Sequence, residues 1–260
     1  MAMRTFLVCG FKGGAGRSLT AAMLACGLHL QARPTLLVRQ TAHNIYSVIE
    51  PIEATLPLPC RELMLPAPYD LPPDLTEDIA AMVDAADARF SDALGQLARA
   101  EIGADGDVVV DLSCVGGALN AASLRDAFAI VVPTRASVFD VDWAVRSAAF
   151  VHELQQTSDR SVPAVLATIS PDQDRGRLMR QLRALLRHVK SLHRGLLPDE
   201  PSRFSVEAPF LGEATLEALI CGRPIWQDRD LAGRCRAFAE AVVGLAEADG
   251  AALADHVDSS

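Results

Sequence analysis

The stretch Thr5-Phe6-Leu7-Val8-Cys9-Gly10-Phe11-Lys12-Gly13-Gly14-Ala15-Gly16-Arg17-Ser18 runs from a short apolar strand, through three closely spaced glycines, into a hydroxyl residue that starts a helix. Glycines at 13, 14 and 16 allow the backbone to wrap round phosphate oxygens with its N–H groups pointing inward, and the helix N-terminus adds partial positive charge. A plain glycine turn is the alternative reading. Strand, loop, hydroxyl and helix in this order favour the phosphate cradle, with Gly13, Gly14, Ala15, Gly16, Arg17, Ser18 and Leu19 as nucleotide-contacting residues.

Working outward, the Ala/Leu-rich run Ser18 to Leu30 reads as a helix stopped by Arg33-Pro34. Apolar runs at 35–38, 108–111, 128–132 and 164–169 are each followed by turn residues and then amphipathic stretches. That alternation predicts βαβ units: a single α/β domain with a mostly parallel, twisted sheet flanked by helices. Residues 43–73 carry seven prolines (Pro51, Pro57, Pro59, Pro66, Pro68, Pro72, Pro73) and read as an irregular excursion, before helix resumes over 75–102. The domain is assigned to 1–248, and the small, acidic stretch 249–260 to a frayed tail.

A chain of 260 residues that is 50% hydrophobic can bury a full core without disulfides or metals. The six cysteines form no Cys-x-x-Cys pair and the six histidines no metal or triad pattern, so neither zinc binding nor a disulfide framework is indicated. Ser113-Cys114, close to Asp111, lacks a visible paired base and reads as packed side chains. No signal-peptide core and no membrane span is visible, so a soluble cytoplasmic protein without membrane insertion is expected. The formal charge of -9 excludes a uniformly basic nucleic-acid binder but not a local patch.

Lys12 and Lys190 are the only lysines. An ordinary P-loop places lysine where Arg17 stands; here a lysine opens the loop instead. Lys12-Gly13-Gly14-Ala15-Gly16-Arg17-Ser18 resembles the deviant Walker A loop of the ParA/MinD family at all but one position. The resemblance extends to Asp107-Val108-Val109-Val110-Asp111 as the Walker B strand, to Gly116-Gly117 in the place of the second switch, and to Ala129-Ile130-Val131-Val132-Pro133-Thr134. It ends with Ala214 to Ala218 and Gly222-Arg223-Pro224-Ile225. Cys9 to Gly16, Val132-Pro133-Thr134 and Asp140-Val141-Asp142 look nearest the VirC-type ParA homologue of T-DNA conjugal transfer. The resemblance implies ATP or ADP with Mg2+ as cofactors and a nucleotide-sandwich homodimer. It also implies Lys12 as a catalytic charge acting across the dimer, and Asp111 with Ser18 at the metal.

Two positions depart from the family. Its second strand ends in Asp-x-Asp, whereas Val38 runs here into Arg39-Gln40-Thr41. Thr41 can hydrogen-bond a water but cannot act as a base. Arg17 is bulkier than the usual lysine and does not fit unchanged into a loop shaped for an ammonium. Slow or degenerate ATP hydrolysis is expected.

From Arg175 to Arg194 the cations Arg175, Arg177, Arg180, Arg183, Arg187, Lys190 and Arg194 occur with no acidic residue between them. Positions 180, 183, 187, 190 and 194 share one helical face, opposite Leu178, Leu182, Leu185, Val189 and Leu192. A solvated face and a DNA-backbone contact through Arg180, Arg183, Arg187, Lys190 and Arg194 are the two readings left open. The expected function is a nucleotide-dependent dimerising switch that positions or processes DNA or a cargo complex with an unidentified protein partner. The alternative is a pseudo-ATPase interaction scaffold that needs no nucleotide; a metabolic P-loop enzyme lacks a visible acceptor site.

Overall fold

The computed structural model describes residues 2–10, 14, 16–41, 50–64, 79–112, 127–155, 162–192 and 204–257, with backbone alone at 79–87, 152–155, 172, 188–192 and 249–257. In chain order the elements are β1 (Arg4–Val8), α1 (Arg17–His29), β2 (Thr35–Thr41), α2 (Glu50–Glu53), β3 (Cys60–Met64), α3 (Ile79–Ile102), β4 (Asp107–Leu112) and β5 (Ala129–Arg135). Then follow α4 (Val138–Gln155), β6 (Ala164–Ile169), α5 (Asp172–Leu192), β7 (Ser205–Ala208), α6 (Glu213–Ile220), a 3-10 turn (Ile225–Gln227) and α7 (Arg229–Val257). The expected single α/β domain is what is observed. Its strands lie in the order β3-β2-β4-β1-β5-β6-β7, and every described pairing is parallel.

A sheet covered on both faces needs apolar side chains at every strand position, and alternate residues here go to opposite layers. Phe6, Val8, Leu37, Val109, Val131 and Ala167 pack on the side of α1 and α7. Leu7, Val38, Val110, Ile130, Val132 and Leu166 pack with Phe90, Val145 and Leu182 of α3, α4 and α5. Helix α1 is buried almost all round, from Thr20 to Leu28, because the sheet covers one side and α7 the other. Gly27 permits that closeness: a Cβ there would sit 2.1 Å from the backbone oxygen of Cys235 on α7.

At the N-terminal edge of the sheet a fully buried carboxylate ties three segments. Asp107 accepts from Arg4 Nε at 2.9 Å and Nη2 at 2.8 Å, and from Arg33 Nε at 2.9 Å. The Arg4 guanidinium also lies 5.1 Å from the ring centre of Phe128. A buried charge is tolerated because both of its oxygens are occupied by charged donors.

Residues 50–64 are more ordered than an irregular excursion. They supply α2 and the edge strand β3, which pairs with β2 from Leu37↔Cys60 to Thr41↔Met64. Trp226 Nε1 donates to Thr55 Oγ1 at 2.8 Å and fastens this segment to the 3-10 turn. The rest of the proline-rich stretch, 42–49 and 65–78, lies outside the described residues. Helix α7 continues past position 248 to Val257, so most of the segment set apart as a tail has helical backbone.

Candidate nucleotide site

The strand order places β1 between β4 and β5, so chain connections leave in opposite directions on its two sides. The crevice at the C-terminal ends of strands at such a switch point is where open parallel sheets bind ligands. The β1–α1 loop emerges there. Gly14 has φ 77° and Gly16 φ 90°, the left-handed region that favours glycine, and Gly16 is the N-cap of α1. The Gly16 carbonyl accepts both the backbone N–H and the hydroxyl of Thr20 at 2.9 Å, which anchors the first turn. Among the described residues nothing stands within 4 Å of where a Cβ on Gly14 would lie, whereas one on Gly16 would lie 3.0 Å from Ile169 Cδ1 and 3.8 Å from Arg135 Nη2. Ser18 is partly buried in the first turn of α1, and the Leu19 side chain packs against the core. Lys12, Gly13 and Ala15 lie outside the described residues, as do Ser113, Cys114, Gly116 and Gly117.

Asp111 is the next-to-last residue of the buried strand β4, level with Val8 of β1 and Arg39 of β2. Its side chain is 6% exposed and its Oδ1 accepts from Arg17 Nε at 2.9 Å. The loop arginine and the Walker B-like aspartate, 94 positions apart, therefore form one ion pair.

On β2 the expected carboxylates are replaced by a cation with its own acidic shell. Arg39 shares the face of Leu37, toward α1, and its side chain is 10% exposed. Arg39 Nη2 meets Glu50 and Glu62, and Nη1 meets Glu53, each at 3.3 Å; Thr41 Oγ1 donates to Glu62 Oε1 at 2.5 Å. Burial pushes the Glu53 carboxyl up to about 7 against the pull of Arg39, with Asp111, Glu50 and Glu62 adding to the rise. The Cys60 thiol, within 3.6 Å of the carbonyls of Glu53 and Leu58, is pushed up to about 12 by burial, with Glu53 adding to the rise. The Arg39 cluster was missed in the sequence. A charged residue directly after the apolar run Leu36-Leu37-Val38 was its one signal, while the glutamates lie 11 to 23 positions away.

Near the C-terminal ends of β6 and β7 a cavity of about 680 Å³ is lined by Ser170, Glu207, Pro209, Phe210, Asp230 and Phe238, among others. At the mouth between the loop and β5, Arg135 is exposed and makes no ion pair among the described residues.

The basic stretch forms α5. Leu178, Leu182 and Leu186 are buried, so the apolar face includes Leu186 rather than a fully buried Leu185. Arg180, Arg183 and Arg187 are exposed, as expected. Arg175 pairs with Glu207 at 2.7 Å and Arg177 with Asp174 at 3.3 Å, whereas Arg180, Arg183 and Arg187 have no acidic partner among the described residues. Position 190 is helical, its side chain undescribed, and Arg194 lies outside the described residues. No helix among the described residues is long and apolar enough to cross a membrane.

No protein-family model matches the chain, and comparison with curated proteins finds no match. Solved structures match over nearly the whole length. Apo McdA of Cyanothece is 15% identical with a TM-score of 0.54 over 93% of this chain and 99% of that one. The pNOB8 ParA bound to nonspecific DNA is 14% identical, TM-score 0.52, over 95% and 99%. A plasmid partition protein of Borrelia burgdorferi bound to AMPPNP is 15% identical, TM-score 0.54, over 94% and 98%. At such identities the likeness is one of fold: the chain is built as the ParA- and MinD-type ATPase structures are.

Proposed function

We propose that this chain is a ParA-like, nucleotide-dependent dimerising switch of the cytoplasm that positions or processes DNA or a cargo complex, with weak or absent ATP hydrolysis. The observation that carries the reading is the β1–α1 turn: two glycines at positive φ, a hydroxyl residue in the first helical turn and Asp111 alongside, all at the switch point of a parallel sheet. ATP or ADP occupies this turn through Gly13, Gly14, Ala15, Gly16, Arg17, Ser18 and Leu19. Lys12 reaches the nucleotide of a second copy, so that nucleotide binds the dimer better than the monomer and drives association.

Weak hydrolysis follows from β2. Where the later carboxylate would sit by the attacking water there is Thr41, whose hydroxyl donates to Glu62, and the earlier position is Arg39, already surrounded by Glu50, Glu53 and Glu62. DNA is engaged through Arg180, Arg183, Arg187, Lys190 and Arg194 on α5, for which the exposed, acid-free row of arginines is the support. The short phrases shared with the VirC-type homologue favour conjugal transfer or plasmid partition as the process.

Light scattering with ATP tests the switch: the mass doubles in wild type and stays monomeric in Lys12→Ala. A mass that ignores ATP favours the alternative, an interaction scaffold, for which Val138, Phe139 and Trp143 on α4 offer an exposed apolar face. Retention of DNA by an Arg183→Glu, Arg187→Glu, Lys190→Glu variant with an unchanged salt dependence would remove α5 from the DNA contact.

A further inference from the structure

The resemblance implies a magnesium ion at Ser18 and Asp111, and the residues do not fit one held in that way. Asp111 Oδ1 accepts from Arg17 Nε at 2.9 Å, in a side chain only 6% exposed, so this carboxylate already has a cation as its partner. Next to Asp111 in register on β2, where the family carries carboxylates, stands the cation Arg39. A divalent ion taken by Asp111 Oδ1 would have to break a charge-assisted bond and face the Arg17 guanidinium.

Arginine suits this arrangement and lysine does not. An ammonium presents one nitrogen, whereas a guanidinium can give its Nε–H to a carboxylate and keep the two Nη groups for another anion. Arg17 uses only Nε among the described residues and its side chain remains 22% exposed. Arg135 Nη2 borders the same loop, 3.8 Å from the place of a Cβ on Gly16. From these contacts we infer that Arg17, held in place by Asp111, acts with Arg135 where the resemblance implies a divalent cation. The loop takes the phosphates of a nucleoside di- or triphosphate without a magnesium requirement, Arg17 and Arg135 supplying the counter-charge. This rests on the nucleotide reading above.

Calorimetric titration of the full chain with ATP and with ADP, in excess magnesium and in EDTA, tests it, alongside Arg17→Lys checked for folding by circular dichroism. Wild-type affinity is expected to change less than threefold on chelation. The Arg17→Lys variant, with Asp111 freed, is expected to bind at least tenfold more tightly with magnesium. A tenfold loss of wild-type affinity in EDTA overturns the inference and leaves the nucleotide reading standing. Binding in neither buffer overturns both, and magnesium independence that persists in Arg17→Lys overturns the role given to Arg17. Should Arg17→Lys not fold, Arg135→Ala replaces it: a loss of at least fivefold in EDTA is expected, and no loss overturns the counter-charge assignment.

Discussion

Replacing Glu53 by Gln isolates the cost of keeping a carboxyl in the Arg39 cluster. Its side chain is 13% exposed, and burial raises its pKa from the model-peptide 4.5 to about 7. A group that holds its proton more tightly when folded contributes stability that is complete below pH 4.5 and is lost as pH rises through about 7. At about 1.4 kcal/mol per pH unit, the loss across that window is about 3 kcal/mol. Glutamine keeps the shape and carries no titratable charge, so Glu53→Gln should lack this component of the pH dependence. Urea unfolding of both proteins from pH 4.5 to 8.5 measures it: the two curves should nearly meet at the acid end, and the variant should gain on wild type by up to about 3 kcal/mol at the alkaline end. Parallel pH profiles would refute the reasoning, because they would mean that Glu53 titrates alike in the folded and unfolded chain.

Gly27→Ala should cost about 1–3 kcal/mol in urea unfolding, or more if α1 and α7 cannot separate, since its methyl would meet the Cys235 backbone at 2.1 Å; a neutral result would contradict the close helix contact. Asp107→Ala should cost about 3–5 kcal/mol by the same measurement, because it strands Arg4 and Arg33 at the sheet edge; a change below about 1 kcal/mol would show that water replaces the carboxylate freely. Among Cys9, Cys26, Cys60, Cys221 and Cys235, a thiol reagent at pH 8 should modify exposed Cys221 first, as mapped by mass spectrometry. Early labelling of Cys60 would contradict its raised pKa.

The central strands were legible in the sequence because burial on both faces forces a continuous apolar run: residues 164–169 match β6 throughout, and the other runs end within three residues of the strand ends. The two edge strands were not. Cys60–Met64 is short, interrupted by Arg61-Glu62 and bracketed by prolines, and becomes a strand because β2 offers an unpaired edge. Ser205–Ala208 has only four residues, too few for alternation to stand out. In the site, glycine spacing announced the phosphate turn and the positive φ at Gly14 and Gly16 matches it. Arg17 and the missing carboxylates of β2 were visible as departures, but what they do depends on contacts between distant positions. Asp111 lies 94 residues from Arg17, and the glutamates around Arg39 come from a stretch whose prolines hid its order.

The central claim is that the β1–α1 turn holds a nucleotide. Calorimetric titration with ATP, comparing wild type with Gly16→Val, addresses it most directly, because a side chain at φ 90° and 3.0 Å from Ile169 must deform the turn. With both proteins shown to be folded by thermal melting, the account predicts one ATP per wild-type chain and at least a tenfold loss of affinity in the variant. Equal binding by the two, or none by the wild type, would contradict it.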